Sequence, residues 1–325
     1  MADHAEDDFD GDIFIYRGGR APWHVTHARI HESIDEIEED AFRSCQRLVQ
    51  VDTHDGIRRV GKQAFRYCTS LRRINLKSAI EIDERAFYCC GKLEYVEFGD
   101  RLETIGESAF VSCTSLTHLR LLSIITIGES AFWNCNQLTD IELSERLETI
   151  GRSAFANCHL RLQRIAIPLK RDLFLYDDEE EEYNQFDYCE ELTTVDLVGQ
   201  AHIKTIASFH MESWRTEMNT EIDRINHVLP NTPADGKTEE IRQWMELVLD
   251  KMDHYKSEHC RYVKEGTILL ELALWKAKLG EKEDNCEEGK TKKAKVDAES
   301  ARKDRRITCG ADMVIKNVLP FLQLE

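Results

Sequence analysis

The chain has 325 residues, 32% of them charged, and a formal net charge of −18. This acidity argues against a general nucleic-acid-binding protein, because neutralising phosphates requires clustered Lys and Arg. It favours basic or mixed-charge partners. The first residues, MADHAEDDFDGD, lack the basic and apolar regions of a secretory signal, and no run of about 18 apolar residues that could span a membrane occurs. A cytoplasmic or nuclear location is therefore expected.

An acidic tail, residues 1–20, precedes a motif that recurs through the first two thirds of the chain. In each copy a Phe is followed three residues later by a Cys. The Phe positions are 22 or 23 residues apart until the last interval, which is 31 residues long: Phe42, Phe65, Phe87, Phe110, Phe132, Phe155 and Phe186. Such a period is typical of proteins in which each copy forms one turn of a solenoid.

Each copy also contains a short alternating segment. In one of them Ile141 and Leu143 share one face of a predicted strand, whereas Asp140 and Glu142 share the other. One copy cannot bury its apolar residues alone, but stacked copies can. The pattern predicts a solenoid over residues 21–208, consisting of a half-repeat cap and about seven repeats.

The residues Ala-Phe-x-x-Cys-x-x-Leu, with the alternating segment behind them, resemble the BspA-type leucine-rich repeat family. The resemblance covers about Val25 to Ile206, although the Pro that often follows the strand in the family is present only as Pro168. It implies an α/β fold: a right-handed leucine-rich-repeat solenoid with one parallel β-strand per turn, followed here by an α-helical C-terminal region. It also implies a ligand-binding or partner-binding role and no catalytic residues.

The repeated cysteines are predicted to be core residues. Stacking places one Cys per turn in a row, whereas a zinc site needs four ligands that converge on one point. Neighbouring turns are close enough for a disulfide, but a reducing compartment disfavours one. Buried free Cys behaves as a small apolar residue. We therefore expect most of the eleven cysteines to be free thiols, with no metal and no cofactor.

An insertion near residues 170–184 accounts for the long last interval. Insertions in solenoids emerge as loops on one face. This loop is predicted to be either a solvated, self-repelling segment or a docking site for a Lys/Arg-rich partner, with a weak divalent-cation site as a further alternative. Its acidic residues are Asp177, Asp178, Glu179, Glu180, Glu181 and Glu182.

The outward residues of the predicted strands form the other candidate site, a face suited to a protein or peptide. The alternative is an ordinary solvated sheet whose charges pair across strands. The candidate partner-binding residues are Arg73, Tyr95, Glu97, His118, Arg120, Asp140, Glu142 and Arg164.

Residues 209–279 follow helical spacing, with helices predicted over about 209–229 and 238–279. In the second helix an apolar stripe from Met245 to Ala273 keeps a spacing of three and four, although Gly266 could break it. Such a stripe is typical of a core or a helix hairpin. A homodimer formed through this helical tail is the alternative.

Residues 280–305 are charged and predict a disordered linker. Two Lys/Arg clusters within and beside it resemble a bipartite nuclear-localisation signal. Residues 306–325 are apolar again and are expected to dock back onto the protein.

The sequence contains no G-x-S-x-G, H-E-x-x-H, P-loop or G-x-G-x-x-G motif and no defensible catalytic triad. The leading hypothesis is a non-catalytic scaffold that binds a protein or peptide. One alternative is an enzyme subunit or regulatory adaptor with a site at the junction of solenoid and helical tail. A surface adhesin is a further alternative.

Overall fold

The computed structural model describes residues 9–10, 13–174, 184–198 and 212–284. Short strands recur in every repeat, and their bounds in chain order are β1 Phe9–Asp10, β2 Ile13–Tyr16, β3 His27–Ile30, β4 Glu36–Ile37, β5 Gln50–Asp52, β6 Arg59–Val60, β7 Arg73–Leu76, β8 Glu81–Ile82, β9 Tyr95–Phe98, β10 Thr104–Ile105, β11 His118–Leu121, β12 Thr126–Ile127, β13 Asp140–Leu143, β14 Thr149–Ile150, β15 Arg164–Pro168 and β16 Thr194–Val198.

The longer strands stack in the register that the repeat period predicts. One six-stranded sheet has the order β1-β2-β3-β5-β7-β9, and a four-stranded sheet has the order β11-β13-β15-β16. All neighbours are parallel except the antiparallel pair β1–β2. Ile141 lies beside Leu119 on one side and Ile165 on the other. The predicted solenoid with a parallel strand in each turn is confirmed, and Ile141 and Leu143 are buried as expected.

A second ladder, which the sequence analysis did not predict, runs along the two-residue strands. They form one parallel sheet in the order β14-β12-β10-β8-β6-β4. Five of these six strands end in Ile, and four of the six are followed by Gly. A Cβ atom built on Gly128 would lie 2.6 Å from the main-chain nitrogen of Glu107. The repeated Ile-Gly pair therefore permits a close approach of successive turns that a side chain would prevent.

The Phe rings form a continuous stack through the solenoid. Neighbouring rings are nearly parallel, tilted by 3–9°, with centroids 5.0–5.7 Å apart from Phe42 to Phe186. Tyr16 continues the stack at its N-terminal end, 5.0 Å from Phe42. Each of these rings is fully buried. The stack explains why Phe recurs at a fixed position, because every ring packs on the equivalent ring of the next turn.

Turns around each Phe are held by hydrogen bonds to the following turn of the solenoid. Ser108 and Ser112 have φ of 56°, a left-handed conformation that is unusual outside Gly. In this conformation the main-chain N–H of Phe110 donates to the carbonyl of Ala131 at 2.7 Å, and that of Ser112 donates to Trp133 at 2.9 Å. The segment around each Phe is thus a turn that is hydrogen-bonded to the equivalent turn of the next repeat.

Among the described residues after the solenoid, two α-helices and a 3₁₀ turn occur: α1 (Glu212–Val228), the turn Leu229–Asn231, and α2 (Lys237–Asp284). The sequence predicted helices at about 209–229 and 238–279. Helix α2 continues through Gly266 and extends past residue 279. The chain divides into two compact units, the first ending at Leu249 and the second beginning at Asp250.

Within the first unit, the helices close the last turn of the solenoid. Side chains from both helices are buried there, including Ile225 and Trp244. The Phe186 N–H donates to Thr238 Oγ1 at 2.9 Å, and the Val195 N–H donates to Asn226 Oδ1 at 2.8 Å. In interior turns the Phe N–H donates instead to a main-chain carbonyl of the next turn, as Phe110 does to Ala131. The helical region therefore supplies the acceptors that a further repeat would otherwise provide.

In the part of the chain that the structure describes, no helix is both long and apolar enough to cross a bilayer. The predicted acidic loop residues Asp177–Glu182 lie outside the described residues. So do the acidic tail up to residue 8, most of the predicted linker, and the segment 306–325.

Candidate functional site

The outward strand residues form two rows of exposed or half-buried side chains, as the alternation predicts. In the first row Arg73 lies opposite Tyr95, and in a later part of it His118 lies opposite Asp140, which in turn lies opposite Arg164. The second row contains Glu97, Arg120 and Glu142. All eight candidate residues therefore lie on one side of the long strands, facing away from the Phe stack. We call this surface the strand face.

The strand face is interrupted near its middle. Strands β9 and β11 belong to different sheets, although β8, β10 and β12 remain paired in the short-strand sheet. The interruption falls between the rungs that carry Tyr95 and His118. The two halves of the strand face are thus separate sheets. The short-strand sheet, which continues past the interruption, connects them.

Most charged side chains on the strand face lie beside an oppositely charged side chain of a neighbouring turn. Arg120 Nε lies 3.1 Å from Glu142 Oε2, and Arg164 Nε lies 2.6 Å from Asp196 Oδ2. His118 Nδ1 is 3.9 Å from Asp140 Oδ2, and Glu97 pairs with Lys77 at 2.8 Å. Exposed pairs of this kind contribute about 0–1 kcal/mol of stability each. Their main effect is that the paired side chains are not free to form an ion pair with a binding partner.

Arg73 and Tyr95 differ from these pairs. They lie directly opposite each other on β7 and β9, at the edge of the interruption. The Tyr95 side chain is 54% exposed, and Arg73 is exposed as well. Within the described residues, neither side chain makes a hydrogen bond or an ion pair. A guanidinium and a phenol are therefore presented together with their hydrogen-bonding groups unoccupied.

A pocket of about 520 Å³ opens in the other half of the strand face, at the carboxyl ends of β11, β13, β15 and β16. It is lined by apolar residues that include Leu122 and Leu197, and by charged residues that include Glu145, Arg146 and the predicted residues Glu142 and Arg164. Leu122 is 51% exposed. Arg146 and Arg164 are both paired, with Glu103 and Asp196 respectively. The lining is therefore mixed, and the exposed Leu122 is the apolar surface that it offers to a ligand side chain.

Sequence reasoning missed Leu122 and Arg146. Both follow a strand, in the turn where the alternation of inward and outward residues ends. An exposed Leu in a turn is common and has no distinctive sequence signal. These residues reach the pocket because the turns after β11 and β13 lie beside strands β15 and β16 in the folded solenoid.

The repeated cysteines are core residues, as predicted. Six of the thiols donate to the carbonyl of a Phe in the preceding turn; the Sγ···O distance is 3.2 Å from Cys113 to Phe87 and 3.2 Å from Cys135 to Phe110. Burial raises the pKa of the Cys135 thiol to about 12. Among the residues described, no three His, Cys, Asp or Glu side chains cluster as metal ligands would.

Thiol labelling should distinguish these positions. We expect iodoacetamide to modify the exposed Cys260 in the folded protein and to leave Cys113 and Cys135 unmodified, because burial raises the pKa of both core thiols and thiolate is the reactive form. Peptide mapping by mass spectrometry measures this. In denaturant all eleven cysteines should react. Equal labelling rates for Cys135 and Cys260 in the folded protein would contradict the buried ladder.

These observations define a class: a parallel-strand β-solenoid protein followed by C-terminal helices. The family model for the BspA type leucine rich repeat region matches six copies, at residues 23–123, 77–192 and 122–225. Together these matches span more than half of the chain. The chain belongs to the BspA-type leucine-rich repeat family. Leucine-rich repeat proteins generally mediate protein–protein interaction.

Solved structures with similarity to the chain are also leucine-rich repeat proteins. The leucine-rich repeat protein of T. pallidum is 25% identical, with a TM-score of 0.45 over 62% of this chain and 88% of that chain. A leucine-rich repeat protein from Bacteroides ovatus is 21% identical, with a TM-score of 0.33 over 54% of each chain. The pneumococcal vaccine antigen PcpA is 17% identical, with a TM-score of 0.33 over 54% of this chain and 63% of that chain.

The comparison with curated proteins found no significant match. The family assignment rests on the repeat match.

Proposed function

We propose that the strand face binds an extended segment of another protein, with Arg73 and Tyr95 as the centre of recognition. The observation that carries this proposal is that these two side chains are exposed, adjacent and without a hydrogen bond or ion pair, whereas charges around them are paired across strands. The family's general role in protein–protein interaction supports it. The proposal contains no catalytic step.

The residue types also suit a binding site. Arg and Tyr are enriched among the few residues that dominate binding energy at protein interfaces. An unpaired Arg can donate two hydrogen bonds to a carboxylate without first breaking an existing ion pair. Tyr95 offers a large, rigid surface with only two side-chain torsions to immobilise. By contrast, a partner that engaged Arg120 or Arg164 would have to displace Glu142 or Asp196.

The spacing along the strand face supports one chemistry for the partner segment. Strand β7 carries Arg73, and strand β13 with the turn after it supplies half of the pocket lining. These strands are three turns of the solenoid apart, and the short-strand sheet stays paired through those turns, so the separation is about 15 Å at the spacing of neighbouring strands. An extended peptide covers this distance in four or five residues, at roughly 3.3–3.6 Å each. The proposed ligand therefore carries a carboxylate for Arg73 and, four or five residues away, an apolar side chain for the pocket at Leu122.

Net charge limits how acidic this segment can be. With a formal charge of −18 on the whole chain, a run of carboxylates would be repelled. A single carboxylate is a local contact, because charges farther than about 8 Å apart are largely screened at physiological salt. We therefore propose a mainly neutral segment with one Asp or Glu.

A phage-displayed random peptide library, selected on the full-length protein, tests the proposal. We expect enriched peptides to contain one Asp or Glu four or five residues from a Leu, Ile, Met or Phe. Affinity for a synthetic enriched peptide, measured by calorimetry, should fall about 30-fold in Tyr95→Ala, which corresponds to about 2 kcal/mol. Arg73→Ala should weaken binding and reduce its salt dependence.

Arg120→Ala provides the matched control, because Arg120 is an exposed Arg on the same face but is paired with Glu142. Its affinity for the peptide should stay within about threefold of the unaltered protein. The proposal is wrong if selected peptides bind Tyr95→Ala and Arg73→Ala as tightly as the original chain. It is also wrong if they lack the carboxylate.

A further inference from the structure

The most exposed apolar stretch of the described residues lies in the second part of helix α2. Five large apolar side chains within Thr267–Trp275 are 48–70% exposed: Ile268, Leu270, Leu272, Leu274 and Trp275. The stretch contains a single charged residue, Glu271. Soluble monomers rarely leave a contiguous apolar surface of this kind uncovered.

These side chains lie on two opposite faces of the helix. Leu270 follows the buried Met252 by five full turns at 3.6 residues per turn, and thus shares its face. Ile268, Leu272 and Trp275 follow the i, i+4, i+7 spacing and lie on the far side. We call these three residues the seam. Two turns before it, the equivalent positions are Arg261 and Glu265, which form an ion pair along the helix.

We infer that the seam binds the seam of a second copy of this chain, as a two-helix pair. The stripe from Met245 to Ala273, which the sequence offered as a homodimer surface, is already buried at its start. The seam is a separate surface on the opposite face of the helix.

Charge and symmetry favour a second copy as the occupant. Two chains that each carry −18 repel one another, so a contact between copies requires a surface without carboxylates. The seam has none. A two-fold symmetric contact also places the same surface on both sides, and an apolar stripe is complementary to itself. The seam therefore needs no differently shaped or oppositely charged partner.

The available area is sufficient for such a pair. At 48%, 60% and 70% exposure, the three seam side chains present on the order of 350 Å² per copy, taking whole large side chains as roughly 150–250 Å². The aliphatic stems of flanking residues such as Lys264 add to this in a helix pair. Two copies then bury on the order of 1,000 Å², which is the lower limit for a specific interface.

Sedimentation equilibrium on the full-length protein tests the inference. We expect a mass twice the 37.7 kDa of one chain at micromolar concentrations. Leu272→Glu should weaken association at least about 100-fold, because each symmetric interface loses two buried leucines and gains two carboxylates. Leu272→Gln, which adds no charge, should weaken it in the same direction while circular dichroism shows an intact helix.

Leu270→Glu is the matched control. Leu270 is 62% exposed, compared with 60% for Leu272, but it lies on the opposite face. This variant should remain dimeric. A wild-type protein that stays at 37.7 kDa up to about 100 μM overturns the inference, whether or not the seam binds a different protein. So does a dimer that Leu270→Glu dissociates and Leu272→Glu does not.

Discussion

Replacing Phe110 with Ala is expected to lower the free energy of unfolding by about 3–5 kcal/mol, the usual cost of removing a buried Phe side chain. Phe110 is completely buried and stacks between Phe87, at 5.0 Å, and Phe132, at 5.1 Å. Its ring also meets the edge of Phe98 at 6.0 Å. A small side chain at this layer leaves a cavity that neighbouring turns cannot close, because hydrogen bonds between turns hold their spacing.

Urea unfolding monitored by circular dichroism measures this effect. Trp23→Ala is a suitable control, because Trp23 is 72% exposed and its removal should change stability by less than about 0.5 kcal/mol. A loss below about 1 kcal/mol for Phe110→Ala would show that the stacked rings do not form a close-packed core. Since turns contact mainly their neighbours, the variant should also lower the cooperativity of unfolding across the solenoid.

Replacing Lys237 with Met is expected to destabilise the first unit by about 1–3 kcal/mol. Lys237 is only 1% exposed, and its ammonium group donates to the carbonyls of Glu190 and Leu192, both at 2.6 Å. Met fills a similar volume but donates nothing. The carbonyl of the buried Leu192 would then lose a partner at the end of the solenoid, where no further repeat can replace it.

Lys62→Met is the matched control. Lys62 forms a 2.6 Å ion pair with Glu84, but its side chain is 41% exposed. Removing it should cost less than about 1 kcal/mol. If both variants lose the same small amount of stability, Lys237 does not hold the last turn.

The Lys237 contact also has a pH dependence. Burial lowers the pKa of the Lys237 ammonium below its ordinary value of 10.5, while Cys189, Glu191 and Glu190 oppose the shift. A Lys whose pKa is lower in the folded state binds its proton more weakly there than in the unfolded chain. The protein should therefore gain stability relative to Lys237→Met as pH rises from the folded pKa towards 10.5. If the difference in free energy of unfolding between the unaltered protein and Lys237→Met did not change with pH, this expectation would be contradicted.

The architecture could be predicted from the sequence because every turn repeats the same local pattern. The alternation at Ile141 and Leu143 determines which residues face inward, and the spacing of Phe and Cys determines the length of each turn. Free, buried cysteines followed from the same reasoning. All eight predicted residues of the strand face lie on one exposed surface, since outward positions follow directly from the period of two.

The distinction among those eight residues could not be predicted in the same way. Arg73 and Arg120 occupy outward positions in equivalent strands, but only Arg120 has an acidic side chain on the next strand within 3.1 Å. The interruption between β9 and β11 likewise depends on how whole turns pack, because the local patterns of the two strands are alike. The contacts of Lys237 join residues 45 or more positions apart in the chain.

Helix α2 shows the same division. Its sequence predicted a helix and an apolar stripe, but the opposite stripe of Ile268, Leu272 and Trp275 became distinct only when burial was known. By itself, the sequence determined the family, the turn length, the inward and outward faces and the helical region, because each depends on a local period. Tertiary structure alone decided which side chains are paired, which polar groups close the last turn and which apolar face remains open, because each depends on neighbours distant in the chain.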